Sequence, residues 1–142
     1  MVILAIDYGD ARTGLAVCDK TELLASPAGV IHETYAPRLI EKLRPVIAEH
    51  HPEQLVVGLP KNMDGSFGPR AAQCAAFAET LETTFGIQTV TYDERLTTVA
   101  AHRALNNVNV RGKKRKNVVD AVAAVMILED YLRARRAAEN QD

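Results

Sequence analysis

Cysteine is scarce: the 142-residue chain holds two, Cys18 and Cys74, with no neighbouring Cys and no metal-ligand spacing. A disulfide framework and a thiolate metal site are thereby excluded, and both residues read as reduced thiols filling core positions. Six Pro and eight Gly are too few for a collagen-like or low-complexity chain. No apolar run approaches the roughly 20 residues of a membrane span. The opening Met1-Val2-Ile3-Leu4-Ala5-Ile6-Asp7 has neither the basic start nor the small-residue cleavage site of a signal peptide. A cytoplasmic chain with no membrane partner is expected. His32, His50, His51 and His102 show no metal-ligand spacing, and a GxGxxG fingerprint, a P-loop and a serine nucleophile elbow are all missing. The length fits one domain near the modal size, spanning 1–142. A chain of 15.5 kDa buries roughly two-thirds of its surface on folding, so its core needs neither disulfide nor structural metal.

Charge of one sign is also missing, since 17 Lys and Arg against 18 Asp and Glu leave a formal −1. The total conceals an uneven distribution. Arg111-Gly112-Lys113-Lys114-Arg115-Lys116 holds five basic residues and no acid, so the other 136 residues carry −6. Such a run is either a solvated loop or part of a channel for a polyanion, where each Lys or Arg at a phosphate adds affinity through counterion release. There is no Trp in the chain and no Tyr or Phe in the run. Recognition there would rest on backbone and shape, not on base stacking.

Hydrophobic patterning supplies the elements. Val2–Ile6 is a continuous apolar run bounded by Asp7-Tyr8-Gly9, as in a strand buried on both faces. A turn over Gly9–Gly14 leads to a second run, Leu15–Cys18. Leu23–Ile31, interrupted by Ser26-Pro27, reads as a third strand beginning near a sheet edge. Leu39, Ile40, Leu43, Val46 and Ile47 then share one face of a helix, with Thr34 as its cap, Pro37 in its first turn and Pro45 predicted to kink it. Leu55–Leu59 is another buried strand, ended by Pro60. A second helix spans about Ser66 to Phe85, with Gly86 as its stop. Ile87–Tyr92 is a fifth strand, Arg95–Leu105 a short helix, and Asn117 opens a last helix that runs to about Arg136. The order β-β-β-α-β-α-β-α-α predicts an α/β class with a mixed five-stranded sheet, three antiparallel strands followed by αβ units, and helices on both faces. That order matches the ribonuclease H-like fold and fits other α/β domains as well.

Three carboxylates occupy costly places. Asp7 ends the first strand, where ligands of open α/β sheets gather; equally, it opens a turn with Tyr8-Gly9. Asp93-Glu94 ends the fifth strand in the same sense. Adjacent residues of an extended chain point opposite ways, so only one faces a site, and either acid can cap the helix at Arg95. Asp120 interrupts ten apolar residues between Val118 and Leu128, where a carboxylate needs a partner; three residues after Asn117, it also fits a capping box. If the strands are parallel neighbours, Asp7 and Glu94 end side by side, and a helix packed across them aims Asp120 at the same point. Clustered carboxylates repel unless protonated or neutralised by a cation. An all-oxygen set suits one or two Mg²⁺ or Mn²⁺ ions, which keep positions open for water and substrate phosphates.

Polar residues near these acids carry two readings each. Arg12, in the turn after Asp7, can grip a phosphate bidentately, or serve as a surface turn residue or partner of Asp10. Arg95 can neutralise a neighbouring acid. Asn62, Ser66 and the backbone N–H groups at the second helix start can bind a phosphate, the alternative being an ordinary loop with an Asp-Gly turn and a Ser cap. Lys113, Lys114, Arg115 and Lys116 would hold a nucleic-acid backbone.

Four motifs in order, over essentially the whole chain, resemble the YqgF (RuvX-like) family. They are Asp7-Tyr8-Gly9 with Arg12-Thr13-Gly14, Gly58-Leu59-Pro60 with Asn62-Met63-Asp64-Gly65-Ser66, Asp93-Glu94-Arg95-Leu96-Thr97-Thr98, and Asp120-Ala121-Val122-Ala123-Ala124. The resemblance implies a ribonuclease H-like fold and a metal-dependent nuclease of the bacterial cytoplasm. It implies processing of the 5′ end of pre-16S rRNA or resolution of Holliday junctions, with Asp7, Glu94 and Asp120 as the acidic set. The implied partner is structured RNA, pre-16S rRNA or branched DNA. Related junction resolvases carry a further acid shortly after the last one, and Ala121–Leu128 contains none, so the number of ions stays open. Monomer and homodimer both remain possible, a dimer being suited to two symmetric cuts. Two other readings fit the same residues. One is a non-catalytic nucleic-acid or ribosome-associated factor. The other is a nucleotide-binding domain of the sugar-kinase/actin type, which needs two such domains where 142 residues supply one.

Overall fold

A computed structural model describes residues 1–95 and 113–140 of the chain, without the side chains of 113–120. Its elements run β1 (Ile3–Asp7), β2 (Arg12–Cys18), β3 (Ala25–His32), α1 (Ala36–His50), β4 (Gln54–Leu59), α2 (Pro69–Phe85), β5 (Gln88–Asp93) and α3 (Lys113–Glu139). The strands form one sheet in the order β3-β2-β1-β4-β5. β1, β2 and β3 pair antiparallel, β4 lies parallel to β1, and β5 parallel to β4. This is the mixed five-stranded sheet that the patterning predicts. The short helix expected over Arg95–Leu105 lies outside the described residues.

β1 and β4 are buried at every position, which is why both read as unbroken apolar runs. Period-two alternation splits their side chains between two layers. Leu4, Ile6, Leu55 and Val57 pack with Leu39 and Leu43 of α1 and with Phe77 and Leu81 of α2. On the other face, Ile3, Ala5 and Val56 pack with Ala123, Ala124, Ile127 and Leu128 of α3. Cys18 and Cys74 are buried, unbridged members of these layers, as expected. Among the described residues, no helix is long and apolar enough to cross a membrane.

Several boundaries differ from the patterning, each for a local reason. Arg12 opens β2 and is not a turn residue, because the β2 ladder extends to an Arg12–His32 pairing. Helix α1 is preceded by Tyr35, which makes no side-chain cap, and not by a capping Thr34. The carboxylate of Glu33 fixes the approach to the helix instead, its Oε2 accepting from the N–H groups of Thr34 and Tyr35 just before the first turn. Pro37 stands in the first turn as expected, and the helix continues past Pro45 to His50. Helix α2 starts at Pro69 with Gly68 as its cap, later than Ser66, whose N–H and hydroxyl are committed to Asp64. The last helix begins at Lys113 and not at Asn117. The basic residues 113–116 are thus helical and not a loop, in line with the good helix propensity of Lys and Arg. Asp120 consequently lies beyond the first turn, past the orphan N–H groups of the helix start, so the capping-box reading fails.

The direction of α3 matters for the site. The Tyr131 hydroxyl donates to Gln54 Oε1 at the start of β4 (2.7 Å), whereas Ile127 reaches Gly58 near its end. Helix α3 therefore runs antiparallel to β4, with its N-terminal part towards the carboxyl ends of β1, β4 and β5.

Candidate functional site

Asp7 is the last residue of β1. It follows Ile3 and Ala5 on the α3 side of the sheet and is only 7% exposed. Glu94 follows β5, where Val90 and Tyr92 face α3, so the same alternation brings Glu94 to that side. Its backbone N–H donates to Leu59 O (3.2 Å), carrying the β4–β5 ladder one residue further, and the residue is 4% exposed. Asp93 turns the other way. Its Oδ1 accepts from the Arg95 N–H (3.1 Å) and its Oδ2 pairs with Arg95 Nε (2.9 Å). Of the two adjacent acids, Glu94 is the one that shares a cavity with Asp7.

That cavity, about 210 Å³, opens at the carboxyl ends of the strands and is lined by Asp7, Tyr8, Gly58, Pro60, Arg70, Cys74 and Glu94. It has room for several waters at roughly 30 Å³ each. Gly58 makes the meeting of acids possible. A Cβ there would lie 2.6 Å from Glu94 Oε2 and 2.7 Å from Ile127 Cδ1, so any other residue would evict the carboxylate or the α3 side chain. The sequence motifs place Gly58 without giving it this role, although a glycine inside a fully buried strand is a recognisable sign of close approach.

Arg70 is a site residue that no sequence motif singles out. It projects from the first turn of α2, and its Nη1 donates to Asp10 Oδ1 (2.9 Å) and to Gln73 Oε1 (3.0 Å), while Nη2 donates to the carbonyl of Tyr8. The guanidinium carbon lies 4.7 Å from the centre of the Tyr8 ring, which stacks on Phe77 at 4.0 Å and 9°. The Asp10 carboxylate suggested as a partner for Arg12 is thus held by Arg70.

Arg12, Asn62, Ser66 and Arg95 are not among the residues that line the cavity. Asn62 Nδ2 donates to Ser66 Oγ (3.0 Å), and Ser66 Oγ donates to Asp64 Oδ1 (2.6 Å), a bond that with the Ser66 N–H holds the Asp64 carboxyl below its usual range. Arg95, besides pairing with Asp93, donates to Met63 O (3.4 Å) and lies against Gly65, whose φ of +89° only glycine adopts without strain. These contacts shape one rim from the loop between β4 and α2. Arg12 is half-buried at the start of β2. Among the described residues no three His, Cys, Asp or Glu side chains are grouped to hold a metal, Asp7 and Glu94 being a pair. The side chains of Lys113, Lys114, Arg115, Lys116 and Asp120 lie outside what is described.

The profile of the RuvX family, described as Holliday junction resolvase, matches residues 1–134. The chain belongs to the RuvX family. Among curated relatives, a protein of Halothermothrix orenii is 42% identical over 132 residues, covering 93% of this RuvX chain and 94% of its own length. One from Listeria innocua is 41% identical over 134 residues (93% and 97%), and one from Geobacillus sp. strain WCH70 is 41% identical over 138 residues (96% and 100%). Each carries the name "Putative pre-16S rRNA nuclease". Among solved structures, RuvC of Thermus thermophilus superposes with a TM-score of 0.59 at 16% identity, covering 96% of this chain and 97% of its own. The Fowlpox virus resolvase in complex with Holliday junction DNA gives 0.56 at 9% identity (94% and 98%). At such identities these structures establish the fold alone, and the RuvX chain shares the ribonuclease H-like fold of the RuvC-like resolvases.

Proposed function

We propose that this chain is a divalent-metal-dependent endonuclease that hydrolyses phosphodiester bonds in structured nucleic acid, acting in the cytoplasm on the 5′ end of pre-16S rRNA. One observation carries the chemistry: two buried carboxylates, Asp7 and Glu94, meet at a single cavity where parallel strands end. Two carboxylates opening on one cavity offer a cation a shared set of oxygen ligands. Oxygen ligands from two acids suit a hard ion, Mg²⁺ or Mn²⁺. Asp120 is the third acid of the reading. It stands four and seven residues before Ala124 and Ile127, which face the sheet, on the part of α3 directed at these strand ends. Asp7, Glu94 and Asp120 would hold one ion, and a second with substrate. When bound, such an ion activates water and stabilises a leaving oxygen.

The chain's own contribution is to fix the acids. Asp7 is registered by its pairing with Gly14, and Glu94 by its bond to Leu59 and the clearance over Gly58. Lys113, Lys114, Arg115 and Lys116, in the first turn of a helix whose N-terminal part is directed at the same strand ends, supply charge for the backbone of the nucleic acid. Arg12, Asn62, Ser66 and Arg95 would serve as further substrate contacts. The names of the relatives support rRNA as substrate; the family's own description favours a second reading, cleavage of four-way DNA junctions, for which a homodimer would serve.

The test is cleavage of precursor rRNA and of a four-way DNA junction side by side, in Mg²⁺, Mn²⁺ or EDTA, with Asp7→Asn as control. Metal-dependent cutting of the RNA is expected from the wild type and none from Asp7→Asn, which should still bind. Cutting of the junction alone would transfer the function to resolution. Undiminished hydrolysis by a pure Asp7→Asn preparation, or binding without turnover in the wild type, would sink the catalytic reading.

A further inference from the structure

The cavity that holds Asp7 and Glu94 is not wholly acidic. Arg70 lines it too, and among the described residues it is the only Lys or Arg that does. Its guanidinium is locked: two Nη1 protons go to Asp10 and Gln73, one Nη2 proton goes to the Tyr8 carbonyl, and the plane rests over Tyr8. Nε and the second Nη2 proton have no acceptor among the described residues. Immobilising so long a side chain costs conformational entropy, and Arg70 has met that cost in the free protein. A fork fixed in advance binds an anion better than a mobile one.

The carboxylate now on Arg70 is a weak holder. Asp10 is 89% exposed, so water screens the pair and it adds little to stability. A phosphate matches the guanidinium fork as a carboxylate does, and one seated in the cavity is screened by water far less than the exposed Asp10. We propose that Arg70 is the phosphate-binding residue of this site. It takes a non-bridging oxygen of the scissile phosphodiester while the acids hold the metal, and Asp10 occupies the guanidinium until substrate displaces it. The residue positions the reacting phosphate and draws off its charge; it does not activate water. The assignment rests on the nuclease reading and adds to it the contact that holds the phosphate.

The experiment maps the cut in the cleaved substrate, then replaces that one phosphate with a neutral methylphosphonate. Binding of both substrates is measured in EDTA for wild type, Arg70→Ala, Arg70→Lys and Asp10→Asn, with thermal melts of each. The neutral linkage should cost the wild type roughly tenfold in affinity. Arg70→Ala should lose a similar factor on the charged substrate and nothing further on the neutral one, and Arg70→Lys should recover part of the loss. Asp10→Asn, a change at an exposed side chain, should bind the charged substrate more tightly. Additive losses, or a neutral linkage that leaves the wild type unaffected, would overturn the assignment, and weaker binding by Asp10→Asn would overturn the displacement. Mn²⁺ titration without nucleic acid separates the two levels: Arg70→Ala should bind the ion at least as well as the wild type. A wild type that neither binds Mn²⁺ nor cuts removes the nuclease reading, and this assignment with it.

Discussion

Gly58 shows how much a single missing side chain can decide. The strand it interrupts is otherwise built from residues that fill space, and the vacancy is where the Glu94 carboxylate sits beside Asp7. In Gly58→Ala the new methyl falls too close to both Glu94 Oε2 and Ile127 Cδ1 for either to stay in place. Overpacking of this kind costs about 1–3 kcal/mol. The variant is expected to melt lower than the wild type, still fold, and lose metal-dependent cleavage out of proportion to its stability. Wild-type turnover in Gly58→Ala would show that the clearance is unnecessary. Asp7 is legible from sequence because it ends an apolar run. The choice between Asp93 and Glu94 is not, because it turns on strand parity, and parity needs a boundary known to one residue. Arg70 is illegible for a different reason: its partners Asp10 and Tyr8 lie 60 and 62 positions away, and nothing local to Pro69-Arg70 announces them.

At the scale of elements, apolar spacing reveals every described helix but misplaces their starts, because the polar and glycine residues that precede a helix lie outside the apolar pattern. Before helix α1, Glu33 ties down the two residues that lead into the first turn. Glu33 accepts from Thr34 and Tyr35 and also meets Lys42 and Arg38. The Lys42 ammonium, then the Tyr35 N–H and the Arg38 guanidinium, lower its carboxyl from the ordinary 4.5 to about 2. These partners favour the charged form, so their contribution is complete above pH 4.5 and is lost as pH falls through about 2. Glu33→Gln should therefore melt below the wild type at neutral pH, with the gap closing as both are taken from pH 4.5 to 2. A gap independent of pH would mean that the amide fails for shape and not for charge. Helix α3 presents the opposite situation. Its first turn contains Lys113, Lys114, Arg115 and Lys116 and no acid, at the end where the helix dipole is positive. The sequence shows the basic run plainly; it does not show that the run belongs to the helix.

For the molecule as a whole, the formal charge of −1 is the sum of two opposed populations, and the averages conceal the working parts. Replacing Lys113, Lys114, Arg115 and Lys116 together with Ala should weaken nucleic-acid binding at low salt. It should also flatten the dependence of log K on log salt by roughly 0.7–0.9 for each phosphate no longer neutralised. Because those cations oppose the helix dipole, the same variant should melt slightly higher than the wild type. Binding titrations across a salt series and a thermal melt read both effects; an unchanged slope would remove the run from the interface. The overall architecture is the most legible property of all. β1 and β4 announce themselves as strands buried on both sides, and that condition is met only in a sheet covered by helices on each face.

Those two faces have a consequence for how the molecule holds together. Asp7 and Glu94 belong to the α3 side of the sheet, while Arg70 and Cys74 come from α2 on the other. The cavity is the place where two separate hydrophobic layers come within reach of one ligand. A phosphodiester gripped from both sides, as proposed, would act as a rivet through the end of the sheet, tying the two layers into one body around their substrate.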